Sequence, residues 1–256
     1  MTTLGSSARF EGRVDNYLKY RPRYPQGIIP FLKREIGLAE DWLVADIGSG
    51  TGFLAERFVE FGCDVTGVEP NAAMRLAGDD YLCGRHNFRS VDGTAESTGL
   101  AGASFDLVTA GQAFHWFEPI RARKEFKRIL RPPGWIVLVW NSRPASHSPV
   151  THEYESILEE LHQDYTQVAE KNARPETMDS FLDSGASLAH ARFPNPHSYT
   201  WEELRGRALS SSYAPLPSDR RHAWFVSALR ALFERRQEDG ELAFMYETNL
   251  YWGKLL

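Results

Sequence analysis

Cysteine is nearly absent from this 256-residue chain: Cys63 and Cys83 are the only two. Two cannot build a disulfide framework or a metal cage, so reduced thiols and no bound metal are expected. No run reaches the ~18 successive apolar residues that a membrane span requires. The opening residues, Met1 to Ser7, also lack the charged-then-apolar design of a secretory signal, so the expectation is a cytoplasmic protein with no membrane partner. A positive excess is missing as well. The formal charge of −5 argues against bulk phosphate binding and a nucleic-acid partner. The local pairs Arg220-Arg221 and Arg235-Arg236 read as solvated helix faces. No internal repeat is present. What the chain does have is 42% hydrophobic residues, enough for one large α/β domain or a domain with an added lobe.

The densest information lies in Leu43-Val44-Ala45-Asp46-Ile47-Gly48-Ser49-Gly50-Thr51-Gly52, an apolar run closing on an acid and then three glycines at alternate positions. It reads as a buried strand turning sharply beneath a ligand. A dinucleotide fingerprint wants Gly-x-Gly-x-x-Gly, and here Phe53 follows Gly52, so hydride transfer becomes a distant alternative. A second strand, Asp64 to Glu69, also ends on an acid. At the carboxyl end of a neighbouring strand, Glu69 can accept from both hydroxyls of a ribose. A third, Asn87 to Val91, leads into Asp92-Gly93-Thr94-Ala95-Glu96. Any one of these acids can be an ordinary turn or cap residue, but three in order at strand ends make that reading hard to sustain.

The chain at this point resembles the class I S-adenosylmethionine-dependent methyltransferases, especially the bacterial small-molecule branch. The resemblance covers about residues 14 to 142. It is carried by Val44 to Gly52, Val65 to Pro70, Val91 to Glu96, and Phe126-Lys127-Arg128-Ile129-Leu130-Arg131-Pro132-Pro133-Gly134-Trp135, which is similar to the family's Arg-Val-Leu-Arg-Pro-Gly-Gly turn. Tyr17-Leu18-Lys19-Tyr20-Arg21-Pro22-Arg23-Tyr24-Pro25 looks like the branch's Tyr-Arg-Pro-x-Tyr-Pro segment.

The resemblance implies an α/β fold: a doubly wound, seven-stranded, mostly parallel Rossmann-like sheet with one antiparallel edge strand and a helical cap. It implies S-adenosyl-L-methionine as cofactor and a small-molecule acceptor, with methyl transfer by in-line displacement. Gly48, Ser49, Gly50 and Gly52 would pass beneath the amino-acid and ribose portions, Asp46 would fix the amino end, and Glu69, with Pro70 beside it, would hold the ribose. Asp92, Gly93 and Thr94 would meet the adenine, while Ala110 and Gln112 would line the methionine arm.

Two groups have open readings. In Ala110-Gly111-Gln112-Ala113-Phe114-His115-Trp116-Phe117, His115 is a candidate general base, and Trp116 or Phe114 a candidate face for the sulfonium; equally, the rings can wedge the loop against the next helix. Tyr20 and Arg21 can close the cofactor site, with Arg21 on a carboxylate of cofactor or substrate, or they can end a helix packed on the core.

The period along the chain predicts helices over Glu11–Tyr20 and Gln26–Ile36, with Gly37 as the stop, then alternating strands and helices from Trp42. Helices are expected over Asn71–Ala77 and Pro119–Leu130, and strands over Phe105–Ala110 and Trp135–Trp140. Beyond Asn141 a Ser-Pro-His loop precedes helices over Thr151–Lys171 and Thr177–Ser184. A weak strand His190–Phe193, helices Trp201–Ser211 and Asp219–Glu238 and a strand Leu242–Trp252 follow. The expected division is cap helices in 1–37, a cofactor-binding core in 38–142, a helical insertion in 143–187 and completion of the sheet in 188–256. Tyr154, Trp201, Tyr213 and Trp224 read as core. Two alternatives stand beside the enzyme: a nucleic-acid methyltransferase on the same fold, against which the Gly111-Gln112-Ala113-Phe114 segment and the acidic balance speak, and a catalytically silent cofactor-binding protein.

Overall fold

The computed structural model describes residues 14–144, 146, 148–161, 181, 188–211 and 213–255. In chain order the elements are α1 (Val14–Tyr20), α2 (Ile28–Ile36), β1 (Leu43–Ile47), α3 (Phe53–Phe61), β2 (Asp64–Val68), α4 (Ala72–Tyr81), β3 (Phe88–Val91) and β4 (Phe105–Gly111). A 3-10 turn at Phe114–Trp116 precedes α5 (Pro119–Ile129), β5 (Leu130–Ser142), α6 (Pro149–Leu161), β6 (Ala189–Tyr199), α7 (Trp201–Leu209), α8 (His222–Arg236) and β7 (Leu242–Lys254).

The seven strands run in the order β3-β2-β1-β4-β5-β7-β6. The pairings from β3 to β5 are all parallel, so the antiparallel edge of this mixed sheet lies at its β7–β6 end. The register sets Ile47 of β1 beside Val68 of β2 and Val68 beside Val91 of β3. All three strands therefore end at one level, and the residues after them converge there. β1 and β2 are buried from their second residue onward, as strands covered by helices on both faces must be.

By packing, the chain forms two compact units. The strand-rich unit comprises 23–140, 174–193 and 248–256; the helical unit comprises 1–22, 141–173 and 194–247. α2 falls in the strand-rich unit, and most of residues 188–256 fall in the helical one. Ala45, Ile47, Val108, Phe126, Ile129 and Leu138 are central to the first core, Tyr154, Leu158, Leu204, Phe225, Leu229 and Phe244 to the second.

Three elements outrun their sequence patterns. α4 continues through Gly78 to Tyr81, because this glycine is a contact rather than a stop: a Cβ there would lie 3.1 Å from the Gly50 carbonyl oxygen. β5 starts at Leu130, pairing with Phe105, and includes a cis Pro132-Pro133 bond. β6 continues through Pro194 and Pro196, which the edge of a sheet tolerates because proline offers no N–H to a further strand. Of the expected helix over Thr151–Lys171, α6 accounts for the part to Leu161. Residues 162–171, and all of the Thr177–Ser184 helix except Phe181, lie outside the described residues, as do Glu11 to Arg13 of the first helix. Cys63 is buried and Cys83 exposed, both as free thiols. Among the described residues no helix is long and apolar enough to cross a membrane.

α7 opens on a reciprocal cap: the Thr200 side chain accepts from the Glu203 amide, and Glu203 accepts at 2.9 Å from the Thr200 amide. Thr200→Ala is expected to cost about 1 kcal/mol in urea unfolding. An unchanged midpoint would mean that this helix owes its start to packing alone.

Candidate active site

The carboxyl ends of β1, β2 and β3 lie together in the strand-rich unit, and the glycine turn crosses them. The amides of Gly48 and Ser49 both donate to the Val68 carbonyl, at 2.8 and 3.2 Å, which straps the turn to the end of β2. Gly48 has φ +67°, and a Cβ there would lie 2.6 Å from that of Ala113. Both the backbone conformation and the approach of the loop after β4 therefore require glycine. A Cβ at Gly50 would press on the Met74 methyl of α4 and one at Gly52 on Leu82, which caps that helix. Ser49 lies over β2, where a Cβ on Gly67 would come within 2.7 Å of its Oγ.

Asp46, the fourth residue of β1, is 1% exposed, and neither carboxylate oxygen has a hydrogen-bond partner among the described residues. Burial pushes its pKa up to about 7; the nearby Ala55 amide opposes this and the Glu69 charge adds to it. Glu69 is also buried, but it is held: the Gly50 amide donates to one oxygen at 2.9 Å and the Asn71 amide to the other at 2.8 Å. Its pKa is raised by burial, with the two amides and Arg75 acting against the rise. Pro70 follows it at the surface.

Asp92 is open to solvent, its side chain 73% exposed and 3.3 Å from Arg75. The same Arg75 Nη1 donates to the Glu69 carbonyl at 2.7 Å, so one guanidinium joins the ends of β2 and β3. Gly93 is confined, since a Cβ would sit 2.8 Å from the Thr98 carbonyl oxygen. Thr94 is exposed and bridges to Ser97.

On β4, Ala110 is fully buried beside Leu138, and Gln112 turns the chain with φ +55° while its amide donates to the Val139 carbonyl at 2.9 Å. The aromatic segment then separates into two roles. Phe114 is buried edge-on against Phe117, Trp140 and Phe181, so it wedges the loop and cannot also face a sulfonium. Trp116 is 39% exposed, with the His115 ring 4.7 Å away. The Nδ1 of His115 is enclosed with no hydrogen-bond partner among the described residues, and burial lowers the imidazole pKa to about 4. A cleft of about 450 Å³ opens at the other ends of the strands, against Leu43, Val65, Phe88 and Phe105, away from all these groups.

Residues 45–138 match the family model described as a methyltransferase domain. Over this stretch the chain is similar to a methyltransferase domain, in keeping with the class I resemblance. Uncharacterized methyltransferases of Mycobacterium bovis and Mycobacterium tuberculosis are each 38% identical over 144 residues, 54% of this chain and 54% of theirs. The chain thus matches about half the length of these relatives. An uncharacterized methyltransferase of Schizosaccharomyces pombe is 29% identical over 250 residues, covering 94% of this chain and 95% of the other. A solved structure from Anaeromyxobacter dehalogenans, provisionally assigned as a type II methyltransferase, covers 93% of this chain and 99% of its own at 21% identity with a TM-score of 0.64, a likeness of fold.

The strand-rich unit gathers Asp46, Gly48, Ser49, Gly50, Gly52, Glu69, Pro70, Asp92, Gly93 and Thr94 around three strand ends, with Ala110 near the end of the fourth and Gln112, His115 and Trp116 after it. Tyr20 and Arg21 belong to the helical unit. Arg21 donates to the Ser210 hydroxyl at 3.0 Å and the Ser211 hydroxyl at 3.3 Å, and the Tyr20 ring fills the space a side chain at Gly206 would need. Their observed contacts are those of a helix end packed within its own unit.

Two groups escaped the sequence reading. Arg75 was legible only as a helix residue, although its spacing of four from the Asn71 N-cap aims it back at the strand ends. The Asn71 amide, a ligand to Glu69, carries no side-chain signature at all.

The folded-state pKa of Asp46 lies above its unfolded value, so between pH 4 and 7 the native state holds the extra proton and stability falls as pH rises through that window. Asp46→Asn removes the penalty. In the absence of ligand this variant is expected to be more stable than wild type by about 4 kcal/mol above that window, the difference shrinking toward its acid end. Urea unfolding across the window measures it, and equal stability throughout would show that Asp46 is not stranded.

Proposed function

We propose that the chain transfers a methyl group from S-adenosylmethionine to a small-molecule acceptor by in-line displacement, releasing S-adenosylhomocysteine. The observation that carries this reading is Asp46: a buried carboxylate with two unpartnered oxygens, beneath a glycine turn and beside Glu69. Such a group is a poor structural element and a good receptor for an ammonium.

The residues fit the cofactor in kind. Asp46 would take the amino end, Glu69 the ribose hydroxyls, and Asp92 with Gly93 and Thr94 the adenine edge, while Ser49, Gly50 and Gly52 offer backbone at close approach. When bound, S-adenosylmethionine supplies a methyl group on a positively charged sulfur, a leaving group that needs no further activation. The protein's own task is then to align the reactants and keep water out, and positioning of this kind can supply roughly 7–11 kcal/mol. Trp116 can face a cation with its ring. With its pKa near 4, His115 is neutral at physiological pH but a weak base. Positioning is therefore the larger share.

A small-molecule acceptor is favoured over nucleic acid by the net charge of −5, which offers no excess for phosphate. Incubation with a labelled methyl donor and a cell extract, read by mass spectrometry, is expected to show label in low-molecular-weight material; cofactor binding with no labelled product from any fraction would favour a silent binding protein.

Glu69→Gln is expected to weaken S-adenosylmethionine binding by about 1.5–3 kcal/mol, the usual scale for hydrogen bonds to a charged group. Unchanged calorimetric titration would remove Glu69 from the site. His115→Ala is expected to keep turnover within about tenfold of wild type, since a working general base contributes ~10²–10⁴. A larger loss with intact cofactor binding would instead identify His115 as the base.

A further inference from the structure

The helical unit holds a positive charge where folding alone gives no reason for one. Arg207 on α7 is 1% exposed. Its Nη1 donates to the Tyr154 hydroxyl at 3.0 Å, while Nε is enclosed with no partner among the described residues. None of the salt bridges among the described residues involves it. The guanidinium lies 5.6 and 5.7 Å from the ring centres of Tyr154 and Tyr246, and Arg143 lies against the same two rings at 5.0 and 5.6 Å.

The surroundings add cations faster than anions. Arg143 is paired with Glu155 at 2.9 Å, whereas among the described residues Arg21 has only serine oxygens as hydrogen-bond partners. Tyr213 registers the imbalance: burial alone would raise its pKa, yet Arg143, Arg207 and Arg21 outweigh burial and bring it down to about 7. The Tyr246 hydroxyl is a second enclosed donor. It is 3% exposed and, like the neighbouring Tyr199 hydroxyl, forms no bond of proper hydrogen-bond geometry among the described residues.

Removing a guanidinium from water without a counter-ion is costly, and two ring faces return only part of that cost. An anion supplied from outside would restore the balance. With Nη1 taken by Tyr154, the guanidinium still has its Nε side to offer, and its two-donor fork matches the two oxygens of a carboxylate.

We propose that the helical unit binds a small carboxylate, which accepts from Arg207 Nε and from the Tyr246 hydroxyl with Arg143 and Arg21 in support. The site goes beyond the methyl-transfer reading and does not depend on it.

The test uses the full chain without S-adenosylmethionine, measuring the unfolding midpoint with acetate, succinate or benzoate, with inorganic phosphate, and with neutral succinamide at matched ionic strength. At least one carboxylate is expected to raise the midpoint by about 5 °C at saturation, and succinamide to leave it unchanged. Tyr246→Phe removes only an unpartnered hydroxyl and should fold; it is expected to weaken that carboxylate's binding by about 5- to 30-fold. Arg207→Lys, which keeps the charge and loses the fork, is expected to weaken it further. Binding should also lower the tyrosinate absorbance near neutral pH, because a bound anion opposes ionisation of Tyr213. The proposal is overturned by no shift with any of the carboxylates, an equal shift with succinamide, a shift with phosphate alone, wild-type affinity in Tyr246→Phe, or a tyrosinate signal that persists unchanged, which would make Tyr213 the internal counter-ion.

Discussion

A carboxylate withdrawn from water without a hydrogen-bond partner costs several kcal/mol or gives up its charge, and Asp46 is withdrawn in this way at the tip of β1. Much of the local geometry around it leaves that group buried and without a hydrogen-bond partner among the described residues. The glycine turn gives Asp46 no hydrogen bond among the described residues. Its amides are committed elsewhere, those of Gly48 and Ser49 to Val68 and that of Gly50 to Glu69. Glu69 is thereby fixed in orientation, and its charge raises the proton affinity of Asp46 further. Two buried acids at adjacent strand ends are unfavourable in isolation; a cationic, hydroxyl-rich partner is what makes the arrangement sensible.

Arg75 explains why the third acid belongs to the same constellation while remaining in solvent. It binds the Glu69 carbonyl and reaches Asp92, so it joins the ends of β2 and β3 without neutralising Asp46. An arginine placed one residue pair closer, against Asp46 itself, would stabilise the unliganded domain and, on the proposed reading, remove its reason to bind an ammonium. The distribution of positive charge around the strand ends is therefore selective.

Much of this was legible in the sequence because it depends on local rules. Alternate glycines after an apolar run fix the turn, and an acid at the end of each strand is visible as a letter. The stop of α2 at Gly37, with φ +73°, follows from the same logic. What escaped was non-local. Gly78 reads as a helix end until the Gly50 carbonyl is seen against it, and the prolines in β6 read as breaks until the strand is seen at the sheet's edge. Phe114 and Trp116, two residues apart, have the same aromatic signature in sequence, yet one is core and the other surface. Tyr154 and Tyr213 read as core, but their polar ends face arginines supplied by segments far apart in the chain, which no short window contains.

The two units thus present the same physical problem with opposite sign. Asp46 is a buried acid lacking a cation in one, and Arg207 a buried base lacking an anion in the other, and each is enclosed by elements of its own unit. Stability alone would favour replacing both by apolar residues, since a stranded charge returns less than the packing it displaces. A zwitterionic or mixed-charge set of ligands reverses the balance. On the two proposed readings, the free energy withheld in the unliganded protein becomes available when a group of opposite charge arrives, and each orphan would convert a folding penalty into binding selectivity. On that logic the chain's chemistry is set as much by the partners it denies these two residues as by the contacts it makes elsewhere.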